Sequence, residues 1–300
     1  MNNAPRRPLY AVLMSLILPG FGQLYNGEVN KAIWLFLAFS LLSIPGVVLI
    51  ALYLPSAWMM PMLVLGLILT LSVWVYGLWD AWRGARERST YVRAPWQVSS
   101  VYVLVFILCD ILALPLLTNY ARAHQVEAFT VPSASMMPTI EPHDFIFADK
   151  RYNCPGCHTA VQRGDIAIFV YPNNRTRYYI KRIIGLPGDR VQIKGQAVSV
   201  NGQPLTVRTQ TEQQMTRVTE AEGQRHWQVE WQDAGPATDI DTTVPPGQVY
   251  VLGDNRSAAT DSRTFGTVPL RDVVGKARQI WFSWGADGVR WSRLGRVLDE

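Results

Sequence analysis

Three segments hold residue types that can do chemistry together. The first is VPSASMMPTI at residues 131–140, where Ser133 and Ser135 lie between Pro132 and Pro138. Prolines restrict the backbone and can hold a hydroxyl in one orientation. The same string also fits a proline-bounded loop with no chemistry. The second is YYIKRIIGLPGD at 178–189, with Lys181 among Tyr179, Ile180, Ile183 and Ile184. Alternate side chains of a strand share a face, so Lys181 and Arg182 point opposite ways and one of them meets the more apolar side. A lysine there loses hydration, which lowers its pKa and makes its neutral amine a general base. Arginine stays protonated and cannot serve. The alternative is a lysine reaching past apolar neighbours to solvent. The third is GDNRSAATDSR at 253–263. Gly253 permits close approach, and Asp254, Arg256, Asp261 and Arg263 can form charge-assisted hydrogen bonds that shape a site or simply brace a turn.

The elements that position these residues differ sharply along the chain. Only 17% of the 300 residues are charged, and eleven of those side chains fall in residues 1–118 against forty in 119–300. The first part has membrane composition and the second ordinary globular composition, which excludes a wholly soluble protein, a disordered chain and a disulfide-dense mini-domain. Ala32 to Trp79 contains no charge over 48 residues. One helix of that length would measure about 72 Å, more than twice the hydrocarbon core, so it must fold back. A break near Pro55, Ser56 and Pro61 gives spans at 32–54 and 58–79, and 98–118 is a third with one charge, Asp110. Residues 8–27 are uncharged too, but Pro19, Gly20, Gly22 and Gly27 in LPGFGQLYNG break a helix, so an interfacial or re-entrant segment is expected. Arg83, Arg86, Arg88 and Arg93 between spans two and three belong in the cytoplasm. That puts the N-terminus inside and residue 119 onward outside. No small-x-small cleavage site follows Arg6-Arg7, so residues 1–118 are expected to stay attached as an anchor.

From Glu127 the pattern becomes strand-like. VQIKG, AVSVNGQPL and QVYVLGD alternate and are punctuated by turns such as Asn201-Gly202. DIAIFVYP reads as a strand ended by proline. Residues 206–243 are polar and read as an excursion from the core. The fold class expected is an N-terminal α-helical transmembrane anchor, 1–118, plus a mostly-β exported domain, 119–300, with antiparallel sheets and little helix. The net charge of +5 is diffuse outside the anchor, with no run of like charges, so no nucleic acid partner is expected.

Together the three strings resemble those of bacterial type I signal peptidases, membrane-anchored Ser-Lys proteases of β fold. WFSWGADGVRWSRLG near the end resembles that family's closing strand, so the resemblance covers about 126–295. It implies Ser135, directly before Met136, as nucleophile and Lys181 as general base. It implies an oxyanion hole from the Ser135 N–H and the Ser133 hydroxyl. Substrate would lie as an extended strand between Phe129, Val131 and Pro132 on one side and Tyr179 and Ile180 on the other. Met136, Arg182, Gly253, Asp254, Arg256, Asp261, Ser262 and Arg263 would support the site. The partners implied are signal peptides of exported preproteins and the lipid bilayer of the bacterial cytoplasmic membrane, with no cofactor and no metal. Trp281, Trp284 and Trp291 could rest on the lipid interface or pack in the core. One departure stands out. The family commonly has a serine two residues before Asp-Ser-Arg, where it bonds the lysine, and here that position is Ala259. Ala259 keeps open a non-catalytic or specialised membrane-tethered module for secretion or conjugation assembly.

Of three cysteines, Cys109 falls in a span. Cys154-Pro-Gly-Cys157-His158 fits a disulfide, half a zinc site or a c-type haem attachment string. Haem needs a pocket and a second axial ligand, and zinc needs further ligands. Neither is evident between the serine and lysine segments, so a disulfide or redox-labile thiol pair of Cys154 and Cys157 is expected.

Overall fold

The computed structural model describes residues 5–88, 90–153, 156–157, 160–212, 215–232 and 239–298. The chain divides into two compact units, Met1–Ala123 and His124–Glu300.

The first unit is helical: α1 Pro8–Ile17, α2 Phe21–Tyr25, α3 Val29–Tyr53, α4 Ser56–Glu87, α5 Ser99–Phe106, a π-helical stretch Ile107–Ala113, and α6 Leu114–His124. Val29–Tyr53, Ala57–Glu87 and Ser99–His124 are long and apolar enough to cross a membrane by length and composition. The break after α3 falls at Leu54 and Pro55, both extended, because proline disfavours helical backbone in the residue before it. Pro61, expected to share in that break, lies inside α4. α4 also continues past Trp79 to Glu87, with Arg83 and Glu87 paired one turn apart at 2.8 Å. Residues 8–27 form two short helices joined at Pro19 and Gly20. Gly20 has φ +89°, and a Cβ on Gly22 would sit 2.2 Å from the Ala11 carbonyl oxygen. These glycines let the LPGFGQLYNG backbone lie directly against its neighbours.

The second unit is mostly strand. Its elements are β1 Val126–Thr130, β2 Asp144–Asp149, β3 Ile166–Val170, β4 Tyr178–Gly185, β5 Arg190–Lys194, β6 Ala197–Val200, β7 Gln203–Pro204, β8 Thr206–Glu212, β9 Met215–Glu222, β10 Arg225–Gln232, β11 Ile240–Thr243, β12 Gln248–Leu252, α7 Ser262–Phe265, β13 Val268–Pro269, β14 Val273–Gly285 and β15 Gly288–Val289. An antiparallel sheet runs β1-β2-β14-β3-β4-β12-β13, with β15 beside β14. Smaller antiparallel sheets run β10-β9-β8 and β11-β5-β6-β7. The large sheet is covered on both faces. Ile146, Ile166, Ile168 and Ile280 pack into one cluster, and Ala167, Phe169, Ile183 and Val251 into another. Covering both faces is why DIAIFVYP reads as an unbroken apolar run.

The expectation of a polar excursion at 206–243 is corrected in part. β8 is largely exposed, but β9 and β10 turn Val218, Trp227, Val229 and Trp231 into a third buried cluster with Ile184, Val191 and Leu252. One inward residue per two is masked by the Gln, Thr and Glu that alternate with it. The tryptophans also divide. Trp281 stacks on Phe147 at 5.5 Å, while Trp284 and Trp291 are exposed. Cys109 is a free, half-buried thiol. Cys154 and His158 lie outside the described residues, and with them the pairing expected for Cys157.

Glu220 on β9 is fully buried and accepts both terminal nitrogens of fully buried Arg256, at 2.7 and 2.6 Å, and the Trp227 indole N–H at 2.8 Å. Removing one partner strands a buried charge. Glu220→Ala is therefore expected to lower unfolding free energy by about 3–5 kcal/mol. Glu220→Leu combined with Arg256→Leu should recover most of that loss, as read by thermal unfolding of the full chain in detergent.

Candidate active site

Ser135 is placed by the 131–140 segment, which follows β1 as a tight loop. The Met137 N–H donates to the Ala134 carbonyl at 3.1 Å and the Ile140 N–H to the Met136 carbonyl at 2.9 Å. Met136 and Ile140 are fully buried and anchor the loop in the core. Lys181 comes from the middle of β4, paired with Ala167 of β3. Its Nζ lies 2.7 Å from Ser135 Oγ and donates to its neighbour Ile180's carbonyl at 2.8 Å. Both side chains are buried, Ser135 at 9% exposure and Lys181 at 3%. Ser133 Oγ lies 3.2 Å from Ser135 Oγ.

Burial dominates the electrostatics. Desolvation brings the Lys181 pKa down from 10.5 to about 8, against opposing pulls from Asp261 and Asp254. A large fraction of the amine is neutral near pH 8. The arrangement is a serine hydroxyl with an adjacent neutral amine, which is what nucleophilic acyl transfer needs.

The 253–263 loop holds the other side of the pair. The Asn255 N–H donates to the Ser135 carbonyl and Asn255 Nδ2 to the Ala134 carbonyl, each at 3.2 Å. A Cβ on Gly253 would meet the Ser135 carbonyl oxygen at 2.5 Å and the Ala259 Cβ at 2.3 Å, with the Lys181 Cδ at 3.5 Å. Only glycine fits between the two reactive segments. Arg256 Nε donates to the Gly253 carbonyl at 3.0 Å, and Asp261 accepts the Gly253 N–H at 3.0 Å. Asp261 also takes Arg263 through two side-chain nitrogens at 2.8 Å. Ser262 Oγ accepts the Val251 N–H at 2.9 Å.

Residues 100–284 match the family described as signal peptidase, peptidase S26. The chain belongs to that family. A signal peptidase I of Pseudomonas aeruginosa is 35% identical over 190 residues, covering 54% of this chain and 67% of its own length. A signal peptidase I of Rickettsia akari is 31% identical over 212 residues, covering 59% of this chain and 77% of its own. A crystal structure of a signal peptidase I from Enterococcus faecalis V583 is 29% identical, with a TM-score of 0.27, over 39% of this chain and 97% of its own. Membership in this family makes the chain a serine endopeptidase. The family match leaves residues 1–99 outside it and ends before most of the closing WFSWGADGVRWSRLG string.

Within a signal peptidase scaffold, the residues singled out from sequence fall into four places. Ser133, Ser135, Lys181, Gly253, Asp261 and Ala259 converge as described above. Val131 shares a buried cluster with Phe129 and Ile180, while exposed Pro132 follows it. Tyr179 packs on the other side, stacked on Tyr171 at 4.1 Å, and its ring lies 5.4 Å from Lys181 Nζ. Arg182, on the face opposite Lys181, is buried as well. It is 4% exposed because both sheet faces are covered, and it forms a two-pronged pair with Asp254 at 2.9 and 2.6 Å. Thr139 Oγ1 donates to Asp254 at 2.5 Å, so the serine loop is tied to the same carboxylate.

Other contributors were not singled out. Asn255 and Thr139 sat inside the quoted strings without a role. Glu220 left one signal: a lone acid at an inward position of β9, in register with Trp227. The Ala259 question also has a structural answer. Ser257 Oγ is turned to the Gln232 backbone, and Thr260 is exposed, so neither nearby hydroxyl substitutes. The second partner of Lys181 Nζ is the Ile180 carbonyl.

The depressed Lys181 pKa has a sign in stability. The unfolded chain keeps this proton up to about pH 10.4, the folded chain only to about 8. Below pH 8 the burial cost is fully present. Between 8 and 10.4 the unfolded state binds more protons, so stability rises with pH. Lys181→Met is expected to be more stable than the parent by about 3 kcal/mol at pH 7, the gain disappearing above about pH 10.4. Paired denaturant melts across pH check this.

Proposed function

We propose that the chain removes signal peptides from exported preproteins by a Ser135–Lys181 dyad, held in a β unit outside the membrane. The observation that carries this is the buried 2.7 Å contact between Lys181 Nζ and Ser135 Oγ. Neutral Lys181 takes the Ser135 hydroxyl proton as Oγ bonds the scissile carbonyl carbon. The tetrahedral oxyanion meets the Ser135 N–H and the Ser133 hydroxyl. Protonated Lys181 then gives its proton to the leaving amine as the C–N bond breaks. Water, giving a proton to Lys181, attacks the acyl ester, and the proton returns to Ser135 Oγ as the second product leaves.

Substrate is read as an added strand. β1 is an edge of the large sheet. β4 pairs with β12 only at Arg182–Gly185, so among the described residues no strand pairs with that side of Tyr178–Ile180. The Phe129 and Tyr178 rings meet at 5.8 Å, bringing these two segments together. An extended peptide laid there gains main-chain hydrogen bonds. Val131, Phe129 and Ile180 form apolar walls that admit a methyl-sized side chain before the cut. The three long apolar helices are read as an anchor. Arg83, Arg86, Arg88 and Arg93 face the cytoplasm, and exposed Trp284 and Trp291 meet the lipid interface.

The test is incubation of purified full chain with a preprotein and mass spectrometry of the products. One cut after a small residue is expected. Ser135→Ala and Lys181→Ala should each abolish it with the fold intact, and so should Lys181→Arg, which keeps the charge but cannot release the proton. Full activity in any of these sinks the dyad. For kcat/KM, an acid limb falling tenfold per pH unit below about 8 is expected.

A further inference from the structure

Arg6 is 6% exposed and has no carboxylate partner among the described residues. Its guanidinium lies between the rings of Tyr25, at 4.3 Å, and Tyr91, at 4.2 Å. Its Nε and Nη2 are buried and lack hydrogen-bond acceptors among the described residues. A buried charge with open donors is costly in an apolar interior unless something accepts from it. Arg6 lines a cavity of about 520 Å³ with Tyr10, Leu13, Arg93, Ser99 and Tyr102, and no acid among the described residues lines it. The Tyr102 hydroxyl, which also lines it, is buried. The acids nearby in the chain pair with other cations, although Glu28 does so through Oε1 alone and its Oε2 is buried without a hydrogen-bond partner among the described residues. Glu28 pairs with Lys31 and Arg88, Asp80 with Lys31, and Glu87 with Arg83.

The LPGFGQLYNG segment builds this cage. Gln23 Nε2 donates to the Gly77 carbonyl at 2.7 Å and to Asp80 at 3.1 Å, and Asn26 Nδ2 to the Ala81 carbonyl at 2.8 Å. Gln97 Nε2 donates to the Tyr25 carbonyl at 3.2 Å, and Gln97 Oε1 accepts the Tyr91 hydroxyl at 2.8 Å. Both aromatic walls are thereby held in place. Beside the cavity, α1 exposes Leu9, Leu13, Leu16 and Ile17.

We infer that this cavity binds the phosphate headgroup of an anionic phospholipid, with Arg6 and Arg93 as the cationic ligands and the exposed α1 face against the acyl chains. Converging donors with no acid fit a phosphate oxygen cluster, and a basic pocket among membrane helices suits such headgroups. The apolar strip argues for a lipid over free phosphate. The inference rests on reading the long helices as a membrane anchor.

The experiment is native mass spectrometry of the delipidated full chain in detergent, titrated with phosphatidylglycerol, phosphatidylcholine or glycerol 3-phosphate. One phosphatidylglycerol should be retained about tenfold more tightly than phosphatidylcholine, with no glycerol 3-phosphate adduct. Arg6→Gln should remove that preference. Arg93→Gln, at an exposed position that leaves the fold intact, should weaken it about tenfold. Equal retention of the two lipids, or an unchanged preference in Arg93→Gln, overturns the site. Glycerol 3-phosphate binding as tightly as phosphatidylglycerol overturns the lipid assignment. Carbonate extraction of native membranes separates the two readings. A chain that washes off overturns the anchor and the lipid site together, whereas a chain that stays but shows no lipid preference overturns the site alone.

Discussion

Holding the Lys181 amine out of water, yet within 2.7 Å of the Ser135 hydroxyl, governs how the β unit is put together. A lysine in the middle of an open, one-sided strand would reach solvent and keep its proton. Lys181 cannot, because β4 lies inside a sheet whose two faces are both covered. The same cover leaves the amine few partners, and its neighbour's carbonyl takes the second hydrogen bond. Backbone geometry of β4 therefore orients the amine without the hydroxyl that Ala259 lacks.

Burying one side of the 181–182 pair obliges the fold to neutralise the other. Arg182, pointing the opposite way, is matched by Asp254, and Asp254 also accepts from Thr139 of the serine loop. Arg256 is matched by Glu220 and holds the Gly253 carbonyl, and Gly253 lies where a Cβ would collide with the Ser135 carbonyl beside Lys181. Buried ion pairs of this kind contribute little net stability but make wrong arrangements expensive. Their effect here is to bind three chain segments, far apart in sequence, into one register around the reacting atoms.

The helical unit follows a comparable rule with a different outcome. Its short glycine-rich segment packs backbone against helix, and its amide side chains satisfy carbonyls of α4 and of the segment's own backbone. Arg6 is enclosed by aromatic faces with two donors open among the described residues. Two open donors on one buried cation are the feature that an anion from outside the chain would satisfy.

Properties set by local pattern were legible in the residues themselves. The charge deficit of 1–118, the length of the uncharged stretches, the alternation of VQIKG and QVYVLGD, and the strings around Ser135, Lys181 and Gly253 each depend on neighbours within one element. Even there, helix ends drifted, because α4 keeps its hydrogen bonds beyond the last apolar residue. What the strings could not carry was decided by strand order and register. Whether Arg182 is buried depends on what covers the second face of the sheet. That β9 and β10 belong to the core depends on which half of their alternation meets Leu252 and Ile184. Glu220 finds Arg256 across 36 positions, Lys181 finds Ser135 across 46, and Arg6 finds Tyr91 across the four helices α1 to α4. Periodicity reports which face a residue occupies, but only the closed fold determines what lies opposite that face, and the charge, dryness and reach of every group at the site are set by what lies opposite.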